Sequence, residues 1–198
     1  MLLNMSAQPI ESKENRQLLG QRKLARPLVI LLLACLSSYY LWVLFLAAHP
    51  NVSTAYRTYY IEKKTLYWAK GNLDLLWPAS GIVRAQDKSP YLSRQGWEPL
   101  ADGKGRGLSH RGGVFFNFDK TPIHPIRIQL TLDQSITEPV YASFDGINKV
   151  RLMPLDMDTL EGILPSKTLV QNASLQHLQI ETLASLSVTQ ISVAEMTQ

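Results

Sequence analysis

The chain has 198 residues, 45% hydrophobic and 18% charged, with 11 Gly, 11 Pro and a single Cys. That length holds one folded domain with an appendage and excludes a large multidomain enzyme, while a lone Cys35 excludes an internal disulfide framework or a Cys-rich zinc site. The net charge of +4 is unevenly spread: residues 1–27 carry five bases and two acids, and residues 49–198 carry 15 bases and 14 acids, which is no footprint for nucleic acid.

Residues 28–48, LVILLLACLSSYYLWVLFLAA, contain no charge over 21 positions. At 1.5 Å per residue such a helix is about long enough to cross a hydrocarbon core of roughly 30 Å. The pattern predicts one transmembrane helix, with Pro27 in its first turn and His49-Pro50 at its end. The basic tail of residues 1–27 precedes the span, so the positive-inside bias predicts a cytoplasmic N-terminus and residues 49–198 outside. Two other readings compete. A cleaved signal peptide has a shorter apolar core and a small residue where Leu46 stands. A lipobox at Leu32-Leu33-Ala34-Cys35 would leave the apolar run after Cys35 without a use. Within the span, Ala34 and Ser38 lie four apart and are candidate contacts for a partner helix, since small residues allow close approach. Alternatively, the serines bond their own helix and face lipid.

Residues 49–78 read as an aromatic juxtamembrane connector rich in Tyr and Trp, with Arg57, Lys63, Lys64 and Lys70 among them. Ser53 is placed to cap a short helix whose Tyr56, Tyr60 and Tyr67 share a face, and rings with a polar tip favour the headgroup level. The alternative is that part of this stretch is a strand of the fold.

From about residue 80 the period changes to two. Ile126 to Leu132 alternates apolar and polar throughout, and Val114/Phe116/Phe118, Val140/Ala142/Phe144, Val150/Leu152, Leu178/Ile180 and Ile191/Val193 repeat the pattern. Turn signals separate them at Asp102-Gly103, Gly112-Gly113, Asp119 to Pro122, Glu138-Pro139, Asp145-Gly146 and Leu164-Pro165. Short strands with little room for helices predict an all-β domain over residues 79–198, an antiparallel β-sandwich of jelly-roll type. Thr137 to Met153 is the clearest hairpin.

The order Gly96-Trp97-Glu98, Gly105-Arg106-Gly107-Leu108-Ser109 and then Gly113-Val114-Phe115-Phe116-Asn117-Phe118 resembles the sandwich domain appended to bacterial phosphoglycerol transferases and other membrane glycan transferases. In that family a Gly-aromatic stretch with a Glu leads into Trp-Gly-Arg-Trp-Ser and an alternating strand; here Lys104 and Leu108 stand near the places of the two tryptophans. The resemblance covers roughly residues 72–196 and implies a bacterial inner-membrane protein with a periplasmic sandwich.

The segment from Gly96 to Gly113 holds six glycines in 18 residues beside Trp97, Glu98, Arg106 and Ser109, the candidate ligand- or partner-binding residues. Glycines let backbone amides converge, and an exposed Trp can stack on a sugar. On the other reading, Arg106 is tied to an acid such as Glu98 and Trp97 caps the core.

No catalytic constellation is visible: the sequence has no H-E-x-x-H, G-x-S-x-G, P-loop or calcium loop, and Ser109-His110 has no acid at a fixed spacing. The sequence predicts no metal or cofactor. It predicts a non-catalytic accessory protein of envelope glycan synthesis, with the lipid bilayer, a polytopic glycan transferase, and a glycan or lipid-linked oligosaccharide as partners and no nucleic acid. The alternatives are a bitopic scaffold of an envelope complex that binds no sugar, and a small periplasmic hydrolase.

Overall fold

A computed structural model of the chain describes residues 12–86, 88–99, 105–169 and 175–196, with 12–25 as backbone alone. The expected Asp102-Gly103 turn and Lys104 lie outside the described residues. The chain forms two compact units, Met1–Asn51 and Val52–Gln198.

The first unit is one helix, α1 (Ser12–Ala48), within which Arg26–Ala48 is long and apolar enough to cross a membrane, with a mean hydropathy of 2.3. Side chains on every side of it are apolar and exposed, Leu32 and Trp42 each at 60%, and such a surface calls for a non-aqueous surrounding. Pro27 lies inside α1, not at its start. A proline removes one helical hydrogen bond, and the Leu, Lys, Arg and Gln residues before it are good helix formers that carry the helix on.

The second unit is an antiparallel β-sandwich. It opens with a short helical turn, α2 (Thr54–Tyr56), whose Tyr56 amide donates to the Ser53 hydroxyl at 3.3 Å, and which runs on as one wider turn through Arg57–Ile61. Among the described residues nine strands follow: β1 (Ile82–Arg84), β2 (Arg106–Leu108), β3 (Arg111–Phe116), β4 (Ile126–Leu132), β5 (Val140–Ser143), β6 (Val150–Pro154), β7 (Thr159–Leu164), β8 (Gln176–Thr182) and β9 (Leu186–Glu195). Their order is β1-β9-β4-β7-β6-β5-β8-β3, with β2 beside β1 along the same edge of β9.

The two layers join through β6. Its Val150 to Leu152 pair with β5, and its Met153 and Pro154 pair with β7. Between the layers the alternating residues meet in one core: Ile126, Ile128 and Leu130 of β4 and Ile191 of β9 on one side, Val114, Phe116, Leu178 and Ile180 on the other, all fully buried. The β5–β6 hairpin turns at Asp145, whose carboxylate accepts the amides of Ile147 at 2.9 Å and Asn148 at 2.8 Å, while Gly146 takes φ +71.

Three departures from the sequence expectation have physical causes. Gly112-Gly113 is not a turn but lies inside β3. These glycines are there for close approach, because a Cβ on Gly112 would overlap Leu108 and one on Gly113 the imidazole of His177. Strand β7 was hidden because Gly162 interrupts its apolar set, and a Cβ there would overlap Leu152. In β9 a register shift opposite Thr131/Leu132 leaves Thr189 and Gln190 both off the core face, so the buried set changes phase from Leu186/Val188 to Ile191/Val193.

Candidate functional site

Segment 91–98 crosses from one layer to the other. Near its start it bonds β3, with Phe115 N–H donating to Tyr91 O at 2.7 Å and Ser93 N–H to Gly113 O at 2.9 Å; at its end Glu98 N–H donates to Gly107 O at 2.9 Å and Ser109 N–H to Gly96 O at 3.0 Å. It thereby ties β3, at one end of the strand order, to β2 on the edge of β9. The crossing depends on Gly96, whose φ of +90 and contact with the Arg111 carbonyl leave no room for a Cβ.

The residues singled out from sequence sit around this crossing. Trp97 is 5% exposed, belongs to the core, and donates from Nε1 to Gly113 O at 3.0 Å. Arg106 is 1% exposed, and its guanidinium donates to Ala85 O at 2.9 Å, Glu98 O at 2.9 Å and the Tyr67 hydroxyl at 3.0 Å. Its bond to Glu98 therefore goes to the main chain; the Glu98 carboxylate lies over Gly107 and faces solvent. Ser109 donates its hydroxyl to Gly96 O at 3.4 Å. Ala34 and Ser38 lie one turn apart on α1, both exposed. Among the described residues no group of three His, Cys, Asp or Glu is placed to hold a metal.

The outer face of β3 and β8 carries a cleft of about 600 Å³, walled by residues 62–64 and 93–95. Its base is the Phe115–His177 pair, neighbours in the antiparallel register, whose rings stack at 4.3 Å and 11°. Gly113 leaves room for that imidazole. Four cations line the cleft, Lys63, Lys64, Arg94 and Arg111, against one carboxylate, Glu62.

Each cation is held differently. Arg94 is anchored, donating to Thr65 O at 2.9 Å and Tyr59 O at 3.0 Å with its guanidinium 5.0 Å from the Tyr59 ring centre. Lys64 pairs with Glu62 at 2.7 Å and lies 5.8 Å from the Phe115 ring centre. Arg111 pairs with Glu181 at 2.7 Å while its side chain stays 65% exposed. Lys63 takes a left-handed φ of 53, unusual for a non-glycine residue. Burial, reinforced by the Lys64 ammonium, pushes the His177 imidazole below its ordinary range, so it is neutral near pH 7. Bonds from Lys149 and Arg111 hold the Glu181 carboxyl low and charged.

A flat ring pair, amide side chains at Gln95 and Gln179 and a cationic rim can bind a polar ligand with apolar faces. In the sequence Lys63 and Lys64 read only as bases of the juxtamembrane connector, and no motif marks His177. The one available signal was Phe115, an apolar residue on the polar phase of an alternating strand.

No protein-family model and no curated protein sequence matches the chain.

Proposed function

We propose that this protein is a single-pass inner-membrane accessory of bacterial envelope glycan synthesis, whose periplasmic β-sandwich binds glycan without reacting with it. The observation that carries this reading is the cleft over Phe115 and His177, where a ring pair lies among the amides of Gln95 and Gln179 and the cations of Arg94 and Arg111. Sugars present apolar C–H faces and polar edges, and such a surface answers both. The exposed apolar length of Arg26–Ala48 supports an anchor that keeps the sandwich beside a membrane-embedded transferase. The positive-inside bias supports the outward orientation.

The test is glycan binding by the full chain in nanodiscs. Saturable binding to envelope-type oligosaccharides, weakened when Gln95→Ala removes an exposed amide of the cleft while the melting temperature holds, is the expected result. A scaffold that touches no sugar is the second reading, favoured by the exposed loop residues Met157 (92%) and Leu183 (70%). Co-purification of a polytopic protein without any saccharide binding would support that reading instead.

A further inference from the structure

We propose that the ligand of this cleft is an acidic oligosaccharide, a linear sugar chain bearing carboxylate or phosphate groups, and that Arg111 is the residue at which its charge is recognised. The proposal rests on the glycan-binding reading above. Residues 49–198 are close to charge balance, yet four cations converge on this cleft against Glu62. They come from separate segments. Lys63 and Lys64 leave the helical turn, Arg94 lies on the crossing segment, and Arg111 begins β3.

The convergence is built by backbone bonds. Lys64 N–H donates to Thr58 O at 2.8 Å and Arg94 N–H to Lys64 O at 2.8 Å, fixing the two walls to each other. Between them Lys63 takes a left-handed φ of 53, a conformation that costs an L-residue free energy. Such costs persist where the surroundings over-determine them, commonly at ligand sites.

Arg111 also lines a second hollow of about 630 Å³ with Tyr141, Lys149 and Leu183. The two hollows therefore meet at Arg111 on one sheet face. Phe115 and Arg111 lie on the same strand, about 13 Å apart at the rise of an extended chain, so the trough is longer than a single sugar ring. Glu181 sits at the junction, 2.7 Å from Arg111 and 2.6 Å from Lys149, and serves as the internal counter-ion that a ligand's acidic group displaces. Single exposed charge contacts are weak in water, so affinity accumulates along a chain and not at one group.

The test is titration of the full chain in zwitterionic nanodiscs with oligogalacturonate and hyaluronate hexasaccharides, galacturonate monomer, neutral maltohexaose, a single-stranded oligonucleotide of equal charge, and phosphatidylglycerol vesicles. An acidic hexasaccharide should bind at least tenfold tighter than the monomer and the neutral hexamer, with affinity falling as salt rises. Arg111→Gln should weaken it at least fivefold at unchanged melting temperature, and Glu181→Gln should tighten it. If Arg111→Gln does not fold, Lys63→Gln on the exposed opposite wall gives the same readout. Equal binding of neutral and acidic hexamers overturns the charge proposal but leaves glycan binding standing; no saccharide binding at all overturns both. Preference for the vesicles assigns the cations to lipid headgroups, and equal binding of the oligonucleotide marks an unselective polyanion surface; either result overturns the proposal.

Discussion

The guanidinium of Arg106 donates from Nη2 to the hydroxyl of Tyr67 at 3.0 Å, joining β2 to a segment 39 residues earlier in the chain. Its other described bonds go to the carbonyls of Ala85 and Glu98, so a buried cation is held in a fork of neutral acceptors. Tyr67→Phe removes one acceptor from a charged donor, a loss of about 1–3 kcal/mol. In a unit of this size the melting temperature should drop by about 2–4 °C per kcal/mol. Arg106→Lys should fall at least as far, because an ammonium does not match the planar fork. Glycan affinity should not move beyond what loss of folded protein explains; an affinity change at constant melting temperature would return Arg106 to the binding surface.

Gly96 offers a sharper test of the crossing segment. With φ +90 and no space beside the Arg111 carbonyl, Gly96→Ala strains the backbone and forces β3 away from its neighbour. The expected outcome is loss of a cooperative thermal transition, followed by near-ultraviolet circular dichroism of the buried Trp97. A variant that melts like the wild type would mean the crossing is not tight.

Strand β4 distinguishes its two faces. Leu130 is fully buried between β7 and β9, so Leu130→Asp places an unpaired charge in the core at several kcal/mol against a typical total of about 5–15. Arg127 is exposed, 3.6 Å from Glu161, and Arg127→Ser should stay within about 0.5 kcal/mol. Chemical denaturation midpoints of the two variants should therefore separate widely. Equal midpoints would contradict the register.

The pH dependence of stability should carry a signature of His177. Its imidazole titrates lower in the folded protein than its ordinary value of 6.5, because of burial and then Lys64. Between the folded and unfolded values the unfolded chain binds more protons, so this contribution is present above about pH 6.5 and is lost as pH falls through that window. The carboxyls of Glu181 and Glu195, held below their ordinary 4.5 by hydrogen bonds, act only at lower pH. Melting temperatures at pH 7.5 and 5.5 should differ more for the wild type than for His177→Gln. An unchanged difference would place the titrating group elsewhere.

The alternation from Ile126 to Leu132 determined a half-buried strand from sequence, because a period of two leaves one face for water and one for the core. The uncharged run from Leu28 to Ala48 likewise determined an exposed apolar helix, since its composition leaves no polar stripe. Gly112 and Gly113 were misread as a turn because glycine has the same sequence appearance whether it bends the chain or admits a neighbour. Only the packing of Leu108 and His177 against them separates the two. Trp97 and Arg106 were legible as structural or binding residues alike, and burial among backbone acceptors decided where they lie. The cleft itself was beyond sequence reasoning. Phe115 meets His177 only through the pairing of β3 with β8, whose register is set by how the apolar faces pack, and Lys64 comes beside Phe115 only through its backbone bonds to Thr58 and Arg94.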